Sequence, residues 1–249
     1  MSTENDRSRL TVEDLAARAH AEMIPLTSVF FYFATLPIAE DDLRQYLHDP
    51  IAALSPAITS QLGKLEILLV PFLERGNGKS GGWVGFEKPA EGRQLFWARA
   101  KSGPPHVLAF AVKDVEMADY HYYFYNGLAA LMADNWEPES QARYHRMLRD
   151  ELGSEVHGEV DERSWHLKQS LVRRQTNARK ETKLFRDYAR QSFEDTLTLY
   201  LHGICCDIDV ETGPRQMPSR YIRRRLELLE EIYAPPDGYA LFPEDLRKR

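Results

Sequence analysis

Three stretches of this chain concentrate side chains able to move a proton, hold a metal ion or attack an electrophile. The first is "DYHYYFYN", residues 119–126, in which Asp119 and His121 stand among five tyrosine and phenylalanine rings. On a helix, Tyr120, Phe124 and Leu128 share one face while His121, Tyr125 and Met132 share another, so the element is apolar on several sides and has to be largely enclosed. Enclosed tyrosine hydroxyls and an enclosed imidazole need polar partners, and a histidine beside a carboxylate is the usual equipment for general acid–base chemistry.

The second stretch is "EVHGEVDERSWH", residues 155–166. If one helix runs through it, Glu155, Glu159, Glu162 and His166 fall on a single stripe, with His157 and Asp161 on the neighbouring one. Ligands at i and i+4 on a helix can meet one metal ion. The H-E-x-x-H pattern of zinc proteases is nevertheless absent, as is the repeated Glu-x-x-His of di-iron bundles. Gly158 also weakens the helix where His157 would have to be held. The simplest outcome for this segment is a solvated charged stripe; the chemical alternative is an acid–base site that admits a divalent metal. Together the two stretches supply the candidate catalytic set: His121, Asp119, His157, Glu159, Glu162 and His166.

The third stretch, "LYLHGICCDIDVETG", residues 199–213, contains the chain's two cysteines as neighbours, Cys205 and Cys206, close to His202, Asp207 and Asp209. No second cysteine pair exists to complete a structural zinc site, and adjacent cysteines close only a strained ring, so no disulfide framework is expected. The segment follows an apolar helical run and precedes Gly213 and Pro214, which favours a helix terminus with small, partly buried thiols over a nucleophile.

The elements that must position these residues change character along the chain. "TVEDLAARAHAEM" starts with Thr11 and carries Glu13 and Asp14 in its first turn, as a capped helix does. "TSVFFYFATL" has the β-branched and aromatic content of a strand, and the proline-divided segment after it suits short helices. From Lys64, the runs "KLEILLVPFLER", "GGWVGFEKP", "RQLFWARA" and "HVLAFAVKD" predict, with it, a sheet of four or five short strands. The linker "GNGKSGG", residues 76–82, departs from the G-x-x-x-x-G-K-[ST] spacing and opens no helix, so it reads as a hairpin loop; no nucleotide-binding motif is found. Beyond Asp114 the periodicity is helical, including an unbroken stretch from about Glu159 to Leu201 and a last helix starting at Pro218. The expected fold is therefore α+β: residues 1–115 carry the sheet, and residues 116–249 form a layer of long helices packed on it as one continuous domain.

Bulk composition narrows the function classes. The 249 residues are 43% hydrophobic and 28% charged, with a net charge of −6, which describes a folded chain without the overall positive field of most nucleic-acid binders. The longest apolar run is broken by Pro25 and Pro37, so no membrane association is expected, and the polar start and scarce cysteines point to a cytoplasmic protein. Locally the balance reverses. Lys168, Arg173, Arg174, Arg179, Lys180, Lys183, Arg186 and Arg190 face only Glu181 and Asp187 within residues 168–190, and "RYIRRR" adds Arg220, Arg223, Arg224 and Arg225. A helical surface of this kind can attract an acidic protein or RNA. Two functions stand side by side: a small enzyme with a His/carboxylate site, metal-assisted or not, between sheet and helices, and a binding or regulatory protein that uses its basic helix on a protein or nucleic-acid partner.

Overall fold

The computed structural model describes residues 10–76, 82–101, 103–174, 180–206 and 217–242. The chain divides into two compact units, one of residues 1–52 and 62–127 and one of residues 53–61 and 128–249. The architecture is α+β, with the strands in the first half of the chain and the long helices in the second.

In the first unit, Thr11 caps α1 (Val12–Ala19) by accepting the Asp14 N–H at 3.0 Å. The main sheet orders its strands β1 (Ile24–Pro25), β2 (Phe30–Ala34), β3 (Leu65–Val70), β8 (His106–Ala111) and β7 (Trp97–Arg99). The central trio β2, β3 and β8 is parallel, and β1 and β7 flank it antiparallel. Every residue of "LEILLV" is buried, which is why β3 reads as a continuous apolar run rather than an alternation. A second, antiparallel sheet of three short strands is built from β4 (Phe72–Glu74), β5 (Trp83–Gly85) and β6 (Gln94–Leu95). The four apolar runs after Lys64 thus serve two sheets. β4 and β5 pair antiparallel, and residues 77–81 of the "GNGKSGG" link, read as a hairpin loop, lie outside the described ones.

Parallel pairing of β2 with β3 demands a long crossover, and the proline-divided segment supplies it. It forms α2 (Glu40–Leu43), a π-helical turn at Arg44–His48, α3 (Asp49–Ala52) and α4 (Pro56–Leu62). The helix α5 (Met117–Asp134) packs on β8, where Gly127 permits the approach: a Cβ there would lie 3.3 Å from the Phe110 ring. Leu68, Val70, Leu73, Val107 and Ala109 close the core of this unit with Val12 and Leu15 of α1.

In the second unit, α6 (Pro138–Gly153) opens with proline at its first helical position. It is followed by α7 (Glu162–Val172), α8 (Lys183–Cys205) and α9 (Ser219–Ile232). Two expectations are corrected here. The run from Glu159 to Leu201 is not one helix: Asp161 caps α7, and Thr182 caps α8 by accepting the Phe185 N–H at 3.1 Å, so capping residues inside the periodic stretch divide it. Nor does a helix cross residues 155–161, because Glu155 and Gly158 adopt positive φ of 53° and 76°. Among the described residues, no helix is long and apolar enough to cross a membrane.

Candidate functional site

In the first unit, α5 encloses Tyr120, Phe124 and Tyr125 as its periodicity implied. His121 is 8% exposed, and its Nε2 stands 2.8 Å from the Gln45 carbonyl oxygen. A carbonyl only accepts, so Nε2 carries the proton, and the imidazole anchors α5 to the π-helical turn. Tyr125 does the same for α3 by donating to the Pro50 carbonyl at 3.1 Å. Asp119, two residues earlier, is exposed.

In the second unit, the stripe expected over residues 155–166 comes apart because the backbone turns at Glu155 and Gly158. His157 is exposed. Glu162 and His166 are brought together on the outer face of α7, 3.5 Å apart, both side chains more than half exposed. Glu159 instead turns inward and is 2% exposed.

What Glu159 meets inside is a charged cluster that joins α6, α7, α8 and α9. Arg225 of α9, fully buried, places Nη1 2.7 Å from Glu159 Oε2 and Nη2 2.6 Å from Glu151 Oε2 of α6. Its Nη1 also donates to Ser192 Oγ of α8 at 2.8 Å. Lys168 of α7 approaches Glu159 Oε1 at 3.2 Å and donates to the Gly158 carbonyl at 2.8 Å, while the Tyr188 hydroxyl of α8 donates to Glu159. Burial alone would raise the Glu159 pKa, but Arg225, then Lys168 and Tyr188, carry it down to about 2. The two carboxylates balance the two cations, and the cluster is closed to solvent. Its role is to fix how α6, α7, α8 and α9 pack. Arg225 and Lys168, expected on a basic surface, are therefore interior residues.

Helical spacing could have revealed this cluster. Arg225 lies within the stripe Ile222, Leu226 and Leu229, and Glu151 continues the stripe Tyr144, Met147 and Leu148, all of them buried. A charge inside an apolar stripe predicts an interior partner.

With Glu151 drawn inward, the opposite face of α6 presents Arg143, Arg146, Arg149 and Asp150. An open groove of about 550 Å³ runs between this face and the start of α8, bordered by His145, Arg146, Arg149, Glu181 and Arg186. A smaller one of about 250 Å³ lies on the other side, towards α9, bordered by Arg143, Arg146, Arg224 and Glu231. Most of these guanidinium groups have an acidic neighbour: Arg143 pairs with Glu231, Arg149 with Glu181, and Arg224 with Asp150 at 3.4 Å. Arg186 donates to the Glu181 carbonyl at 3.2 Å. Arg146 borders both grooves, is exposed, and makes no hydrogen bond or ion pair with any described residue. The basic surface thus centres on α6, a helix whose arginines the sequence reading had not singled out. Lys183, Arg186 and Arg190 of the expected stretch are exposed on α8, Arg173 and Arg174 follow α7, and Arg179 lies outside the described residues.

The cysteines end α8, and the Cys206 N–H caps it by donating to the His202 carbonyl at 2.8 Å. Neither forms a disulfide; the adjacent Cys205 and burial push the Cys206 thiol well above its ordinary range, away from the thiolate a nucleophile needs. Asp207 and Asp209 lie outside the described residues. Compared with known protein families, curated proteins and solved structures, the chain matches none of them.

Proposed function

We propose that this protein is a recognition protein whose helical unit binds an acidic segment of a partner protein along α6. The observation that carries the reading is Arg146, an exposed guanidinium at the junction of two grooves with no carboxylate among the described residues to neutralise it. Guanidinium is the side chain best matched to a carboxylate, since its planar fork makes two parallel hydrogen bonds at once. The surrounding surface argues for a protein over RNA. Asp150, Glu181, Glu227 and Glu231 alternate with the arginines, so a continuous run of phosphates would meet repulsion at several points, and the whole chain carries −6. A peptide that alternates acidic and neutral residues meets none.

The catalytic reading has less support. Glu159 is held by Arg225, Lys168 and Tyr188 away from solvent, while His157, Glu162 and His166 face outward. A substrate would not reach the first, and the others stand exposed on the outer surface.

Isothermal titration of the full chain with a short peptide that alternates glutamate and serine tests the proposal. Arg146→Glu, which puts a like charge where the peptide must dock, is expected to weaken binding roughly tenfold at low salt, with the wild-type affinity falling as salt is added. Equal affinity in the variant, or a preference for single-stranded polyuridylate over the peptide, would overturn it.

A further inference from the structure

The larger groove holds a second acid-binding position that is already occupied. Glu181 lies just ahead of Thr182, the cap of α8, so it belongs to the connection and not to the helix. Its side chain, 46% exposed, crosses to α6, where it pairs with Arg149 and brings Oε1 to 3.4 Å from His145 Nδ1. The receiving groups do not depend on it for their positions. Arg149 lies over the Phe185 ring with its guanidinium carbon 4.6 Å from the centroid, and His145, almost fully buried, is packed edge-on between Trp136 and Phe185. A guanidinium braced on an aromatic face beside an imidazole is a preformed site for a carboxylate, and the carboxylate now in it is more exposed than either group that holds it.

We infer that Arg149 and His145 form a second carboxylate subsite of the α6 groove, filled in the unbound protein by Glu181 and vacated when the partner's acidic side chain takes its place. The inference rests on the reading that α6 binds an acidic segment. It adds that the segment must present two acidic side chains, one to Arg146 and one to Arg149. Because those two arginines are three residues apart on a helix, they stand about 4.5 Å apart along its axis. The exchange swaps one ion pair for another, so the second acid contributes little to affinity while Glu181 competes, and contributes fully once Glu181 is neutral.

Titration of full-length Glu181→Gln with the same alternating peptide tests this. The resident ion pair is partly exposed and therefore weak, so its removal is expected to tighten binding about two- to fivefold. His145 ring resonances supply a second readout: those of Glu181→Gln should differ from the wild type without peptide and return towards the wild-type positions at saturating peptide, as a carboxylate refills the subsite. Unchanged or weaker binding by Glu181→Gln, with Arg146→Glu still disruptive, would overturn the subsite and leave the recognition reading standing. Absence of binding by both the wild type and Glu181→Gln would overturn both.

Discussion

Asp195, on α8, is the residue whose surroundings most alter its proton affinity in a range that matters to the folded protein. It is 5% exposed, and Gln191 donates to its Oδ1 at 2.7 Å, while Oδ2 meets no hydrogen-bond partner among the described residues. Burial raises its pKa to about 7; Ser164 and Gln191 pull the other way, and the carboxylates of Asp161 and Glu194 add to the rise. A carboxyl held neutral in this way costs the folded state stability wherever the unfolded chain has already lost the proton. Its contribution to stability is complete below the ordinary carboxyl value of 3.8 and is lost as pH climbs through about 7. Other groups act in different windows. Glu159 contributes stability that is present above 4.5 and disappears as pH falls towards 2, and His145, whose pKa burial lowers, favours the folded state as pH rises. The difference between wild type and Asp195→Asn isolates the group: urea unfolding followed by helical circular dichroism should show wild-type stability falling relative to the variant between about pH 4 and pH 7. Parallel curves would mean that the carboxyl ionises as easily in the fold as out of it.

At the scale of elements, the charged cluster decides how the helices of the second unit are held. Arg225 forms paired hydrogen bonds with both Glu151 and Glu159, so its loss strands two buried carboxylates with Lys168 as their remaining cation. Removing one partner of a buried ion pair costs about 3–5 kcal/mol, whereas replacing the whole group by apolar residues of similar volume is often neutral. Arg225→Met is therefore expected to lower the stability of this unit by about 3–5 kcal/mol in chemical unfolding, and the combined replacement of Arg225, Glu151, Glu159 and Lys168 by methionine to lose less than that single change. A combined variant weaker than Arg225→Met would show that the ionic contacts themselves supply net stability. The same cluster bears on recognition, because it turns α6 so that Glu151 points inward and Arg146 and Arg149 outward.

For the molecule as a whole, the two units owe their order to different physics. The first is built around a parallel trio of strands whose pairing joins segments far apart in sequence, and the second around local helices joined by buried charge. β3 is hydrogen-bonded on both sides and buried along its length, while β1 and β7 form the sheet's edges. Native-state hydrogen exchange is accordingly expected to be slowest in the sheet at Leu65–Val70 and to be orders of magnitude faster at Ile24 and at the outer amides of Trp97–Arg99. Fast exchange at β3 would contradict its central position.

Much of the fold was legible because it is written in short-range signals: the Thr11 cap, the continuous apolar run of β3, the aromatic enclosure of α5 and the end of α8 at its cysteines all follow from periodicity and capping chemistry. The division of residues 159–201 was harder to see, since helical spacing persists across a break and only Thr182 marks it. The surface assignment of Arg225 and Lys168 went astray because a run of basic residues resembles a solvated face unless each is weighed against the apolar stripe that contains it. By itself the sequence determined that the strands lie in the first half and the long helices in the second, and hence that the chain is α+β. Tertiary structure alone decided which charges are interior and which are offered to a partner, because that depends on carboxylates and guanidinium groups separated by up to 74 positions meeting in one core, and no local pattern encodes such a meeting.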